Sequence, residues 1–153
     1  MSGAAIQVVG LAELNVALER MVGSLNYATR RATATASHLV ERQIKLTLST
    51  SSHARGTPTP SAPGEPPSLV TGTLRRSITV KGPHPFGLGR WESHIGPTVI
   101  YGRIQELGGV TGRGGSTVLP ARPYVQPSFD RLVATGALTR IYHSAWRAAI
   151  ARH

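Results

Sequence analysis

The chain has 153 residues, 40% of them hydrophobic and 16% charged, the balance of a folded domain rather than a disordered chain, and enough for one domain with a modest core. Seventeen Lys+Arg against seven Asp+Glu give a formal charge of +10, nearly all of it arginine because Lys45 and Lys81 are the only lysines. The excess points to an anionic partner, or in part to a GC-rich coding sequence that favours Arg, Ala and Gly codons. No cysteine is present, and no signal-like segment or apolar run near the ~20 residues of a membrane span occurs, so disulfides and thiolate metal sites are excluded and a soluble, unsecreted chain is expected.

Ala5–Val9, partly β-branched and closed by Gly10, predicts an N-terminal strand. Leu11, Leu14, Leu18, Met21 and Leu25 then recur in steps of three and four, the spacing of one helical face. Gly23 weakens this helix, and Asn26 is placed to cap a second one carrying Ala28, Ala32, Ala36, Leu39, Val40, Ile44 and Leu48. The small residues of its first half suit close helix approach, the bulky second half suits a sheet, and Arg30, Arg31, Arg42 and Lys45 fall mostly on the solvated side.

From residue 51 to residue 73 Ser, Thr, Gly and Pro dominate, and prolines 58, 60, 63, 66 and 67 favour an extended loop or arm. An arm that gains order against another subunit predicts that removing Ser51 to Ser68 spares folding and impairs assembly. Thr71-Gly72 sets a turn, after which Leu74 to Lys81 alternates as a strand with Leu74, Ile78 and Val80 on one face. Arg76 falls on that apolar side, where it either stands clear of the covered sheet or reaches a carboxylate such as Glu106.

Arg90 to Gly96 returns as a second strand, making a hairpin with a long tip at Gly82–Gly89, and Pro97 ends it. Val99–Leu107 predicts a short helix with Ile100, Ile104 and Leu107 on one side, stopped by Gly108. Five glycines and Arg113 between Gly108 and Thr117 predict a mobile loop, followed by a short strand at Val118-Leu119. Pro120-Ala121-Arg122-Pro123 makes a corner before a final helix from Val125 to Ala149, with Gly136 as a kink. The sum is an α+β fold: a small antiparallel or mixed sheet packed by a long N-terminal helix and a C-terminal helix, with long Pro-rich and Gly-rich loops.

No catalytic or metal constellation emerges from these residues. Asp130 is the only aspartate and lies in the first turns of the last helix, where a carboxylate is favoured by the dipole alone. The histidines at 38, 53, 84, 94, 143 and 153 form no His-Glu-x-x-His pair, and the glycine runs at 87–89 and 108–115 complete neither a dinucleotide fingerprint nor a P-loop. The expectation is no enzyme, no cofactor and no metal. Charge alone leaves a non-specific nucleic-acid-binding module as the alternative, although only 5% of residues are aromatic and the arginines are scattered over every element.

Four stretches in order carry a resemblance: Gly10-Leu11-x-x-Leu14; Thr71-Gly72-x-Leu74-Arg75-x-Ser77-Ile78; Tyr101-Gly102-x-x-x-Glu106-x-Gly108; and Ala121-Arg122-Pro123-Tyr124-Val125-x-Pro127-Ser128. Together, from Gly10 to about Leu132, the chain resembles the tail-completion or head-tail joining family of long-tailed bacteriophages. The resemblance implies a structural virion protein of the neck, assembled in the host cytoplasm. It also implies a homo-oligomeric and commonly hexameric ring, which meets head-closure and tail-tube or terminator proteins and touches passing DNA at most non-specifically. Tail completion, tail termination and related connector roles stay open. The chain departs from compact members in its loop at Ser51 to Ser68 and its glycine-rich insertion after Glu106. On this reading Arg75, Arg76, Glu106, Arg113 and Arg122 are the candidate inter-subunit contacts.

Overall fold

The computed structural model describes residues 10–50, 52, 54–56 and 61–152; the strand expected at Ala5–Val9 lies outside the described residues. The architecture is α+β and is organised on one long helix, α1 (Leu11–Thr47), 37 residues or about 55 Å at 1.5 Å per residue. The break expected at Gly23 and Asn26 does not occur. Gly23 costs about 1 kcal/mol in a helix, which its Ala-, Leu- and Arg-rich neighbours and the absence of proline outweigh. Asn26 caps nothing, and its Oδ1 instead accepts a 2.7 Å hydrogen bond from Trp91 Nε1.

The two halves of α1 differ in what they touch. From Ala28 onward Ala28, Ala32, Ala36, Val40 and Ile44 are buried, whereas every residue from Leu11 to Arg20 is exposed. The core cluster joins Val40, Ile44 and Leu48 to Ile78, Tyr124 and Leu132, with Leu74, Ile95 and Leu138 packed around it.

Beyond the loop, Gly72 (φ 70°) turns the chain into a single helical turn, α2 (Thr73–Arg76). The strand expected from Leu74 therefore starts only at Ile78. The left-handed glycine and the Thr71 hydroxyl, 2.9 Å from that of Thr73, initiate a helical turn that a three-residue alternation does not betray. The strand β1 (Ile78–Pro85) pairs antiparallel with β2 (Trp91–Pro97), with Val80 opposite Ile95 and a register shift between Lys81 and His84. This hairpin lies against the buried half of α1 and is pinned by Trp91, over whose ring the Arg30 guanidinium sits at 5.6 Å.

α3 (Gly102–Leu107) follows; Ile100 stands outside it and is exposed, because the helix begins only at Gly102. The Gly-rich run is not a plain loop. β3 (Gly109–Thr111) pairs antiparallel with β4 (Thr117–Leu119) across a 3-10 turn at Arg113–Gly115. The β-branched pairs Val110–Val118 and Thr111–Thr117 favour this ladder over a free coil.

The expected single C-terminal helix is two, α4 (Gln126–Ala134) and α5 (Ala137–Ile150), separated at Gly136, whose φ of 65° ends one helix and starts the next. Against the alanine face of α1, α5 buries Ala149 and ties Tyr142 Oη to Thr33 Oγ1 at 3.0 Å; Trp146 Nε1 donates to Thr29 Oγ1 at 2.9 Å. The small residues bring the helices close, and the two aromatic tips add the polar ties.

Candidate functional site

Two constellations gather the residues singled out in the sequence. The first is a joint built on Glu106. The α4 N-terminus begins at Val125 without a side-chain cap of its own, so its free backbone donors need an acceptor from elsewhere. Glu106, on α3, provides it: its carboxylate accepts hydrogen bonds from the backbone N–H groups of Tyr124 (2.7 Å), Val125 (2.9 Å) and Gln126 (3.0 Å).

Tyr124, fully buried, donates its hydroxyl to the Gly102 carbonyl at 3.0 Å and so closes the joint from the other side. Burial pushes the Tyr124 phenol well above its ordinary range, and the Glu106 charge pushes it further. Arg122 is buried beside this joint, with Nε donating to the Ser61 carbonyl at 2.9 Å and its backbone N–H to the Gln105 carbonyl at 2.8 Å. The Glu106 carboxylate and Arg122 Nε thus have partners within the chain, and no ion pair joins Arg76 to Glu106 among the described residues.

The second constellation is a groove of about 540 Å3 between the C-terminal half of α1 and α2. Arg42, Lys45, Arg75 and Arg76 line it, with Leu46 and Glu41. Arg75 is anchored, its Nη1 donating to Ser49 Oγ at 2.9 Å, while Ser49 Oγ donates to the Lys45 carbonyl at 2.7 Å. Glu41 takes Lys45 Nζ at 2.6 Å and His38 Nδ1 at 3.1 Å; the Lys45 hydrogen bond first, then that of His38, hold its carboxyl below the usual range. Arg42 and Arg76 make no ion pair among the described residues. Four cations thus face one carboxylate, an arrangement suited to holding a further anion.

Arg75 and Arg76 were visible in the sequence as an adjacent pair. The spacing places Arg42 and Lys45 on the mostly solvated side of α1, where Arg42 is exposed, and only the return of α2 onto the end of α1 brings all four together. Arg113 stands apart and exposed in the turn between β3 and β4. Asp130 accepts a hydrogen bond from the Gln126 side-chain amide, at 2.8 Å, on the surface of α4. Among the described residues no three His, Asp or Glu side chains are grouped to hold a metal, and no helix is long and apolar enough to cross a membrane. No protein-family model, curated protein or solved structure matches the chain.

Proposed function

We propose that the chain is a structural protein of the neck of a long-tailed phage, repeated around a ring that completes the tail and joins it to the head. The observation that carries this reading is the order and placement of the four family-like stretches. The third and fourth meet in the Glu106–Tyr124 joint, the second forms the α2 turn and its groove, and the first opens the exposed half of α1. Residues that set joints and surfaces, rather than a reactive centre, are what an assembly protein requires.

A body that leaves both a helix half and a basic groove unpartnered fits a subunit that completes its packing on neighbours. Mass photometry of the purified chain and immunogold labelling of virions test the reading. A closed ring of about six copies and label at the head-tail junction are expected, six being the usual number for cyclic neck rings of the family resembled. A chain that stays monomeric, with label elsewhere or absent, overturns it.

The groove favours one second reading, non-specific contact with a phosphate backbone. Arg42, Lys45, Arg75 and Arg76 are the residues that would make it. Titration with duplex DNA at increasing salt distinguishes the two: phosphate contacts give an affinity that falls steeply with salt, and no binding at low salt removes this reading.

A further inference from the structure

The exposed half of α1 and the basic groove are complementary. Leu11, Leu14, Leu18 and Val22 are 56%, 53%, 48% and 66% exposed, yet they continue the same face that is buried from Ala28 onward. At about 100° per residue, Glu19 lies at the edge of this stripe, about 95° from its centre, and Glu13 lies about 145° from it, towards the far face. Between Leu11 and Leu25 two glutamates stand against one arginine, Arg20, so this segment is net acidic in a chain of net charge +10. The groove offers the reverse: Arg42, Lys45, Arg75 and Arg76 around Leu46, which is itself 52% exposed. The aliphatic stems of those long side chains extend the apolar floor.

We infer that residues Leu11 to Val22 of one copy dock in this groove of the next copy, the leucine stripe over Leu46 and Glu19 at its edge against Arg42 and Arg76, with Glu13 adding to the negative charge of the segment. The segment cannot reach its own groove. Both lie on one continuous helix, and Val16 and Arg42 are about 40 Å apart along its axis. The contact is therefore made between copies and joins two different patches, the head-to-tail kind that closes into a ring when the rotation allows. This inference rests on the ring reading and specifies the contact that builds the ring.

Charge exchange tests it. One variant carries Glu13→Lys and Glu19→Lys, both at exposed positions; the other carries Arg42→Glu and Arg76→Glu, at two exposed positions without ion pairs among the described residues. Self-association, measured by sedimentation velocity, is expected to weaken more than about tenfold in each variant alone. It is expected to recover when the two are mixed in equal amounts, because each reversed helix then meets a reversed groove and each native helix a native one.

Assembly like wild type in either variant, or no recovery on mixing, overturns the docking. Labelling at the head-tail junction would then still stand for the ring reading. A second measurement does not depend on charge. The chain contains no cysteine, so Leu18→Cys with Leu46→Cys should give an intermolecular disulfide ladder under mild oxidation. A wholly monomeric product overturns the docking.

Discussion

Glu106 holds the start of α4, because three backbone donors there converge on its carboxylate. Glu106→Ala leaves those donors without their acceptor and is expected to lower stability by about 1–2 kcal/mol, read as a lower urea midpoint. Tyr124 extends the same joint into a pH dependence. Its phenol is held protonated by burial and by the neighbouring Glu106 charge, so its folded-state pKa lies above the unfolded value of about 10. The stabilisation is fully present below that unfolded value. It declines as pH rises above it, since the unfolded chain releases a proton that the folded one keeps. Tyr124→Phe removes the donor to Gly102 and should cost about 1–2 kcal/mol at neutral pH, while the decline between pH 10 and 11.5 becomes shallower than in wild type. Urea unfolding across that range checks both effects. A decline as steep in the variant as in the wild type would assign it to other groups.

Among the elements, α1 shows what periodicity can and cannot tell. The three-and-four spacing of Leu11 to Leu25 and the alanine face from Ala28 are both present, but a glycine and an asparagine in sequence looked like a boundary. Nothing local reveals that Asn26 is engaged by Trp91, 65 positions away. The existence of the β1–β2 hairpin and the end of α3 at Gly108 were legible from alternation and glycine, but the tip was not: Gly82 and Pro83, expected to open it, lie inside β1, which pairs on to Pro85 across a register shift. The start of β1 was not, since the helical turn at Thr73–Arg76 is set by the backbone of Gly72 rather than by side-chain pattern. Gly23 itself has no neighbour within 4 Å of where a Cβ would sit and lies in the exposed half of the helix. Gly23→Ala should therefore strengthen this half by about 0.5–1 kcal/mol. Because Leu11 to Arg20 are all exposed, the gain is expected as local protection, roughly two- to fivefold slower amide exchange between Leu11 and Leu25, with the global melting temperature little changed. Unaltered exchange there would mean that Gly23 does not limit the helix.

At the scale of the whole molecule, the groove was half legible: Arg75 and Arg76 are adjacent in sequence, whereas Arg42 and Lys45 join them only through the tertiary return of α2. The loop from Ser51 to Ser68 is the reverse case, since composition marks it as an arm while the fold ties its far end down. Arg122 donates to the Ser61 carbonyl and Gly64 donates its N–H to the Ala121 carbonyl, at 2.9 Å each. Ser52 and Leu69 form a parallel bridge, so the two ends of the loop are neighbours and a short linker can rejoin them. Removing residues 51–68 leaves the fold able to form but takes the acceptor from a buried guanidinium. The expected cost is about 1–3 kcal/mol, against which the shorter loop returns only about 0.6 kcal/mol per halving of its length. Thermal melting should show a native circular dichroism spectrum with a lowered midpoint, and adding Arg122→Leu to the deletion should recover part of the loss by removing the unpaired charge. An unchanged midpoint would make the segment the detachable arm that its composition suggests. A chain that no longer folds would make it part of the core.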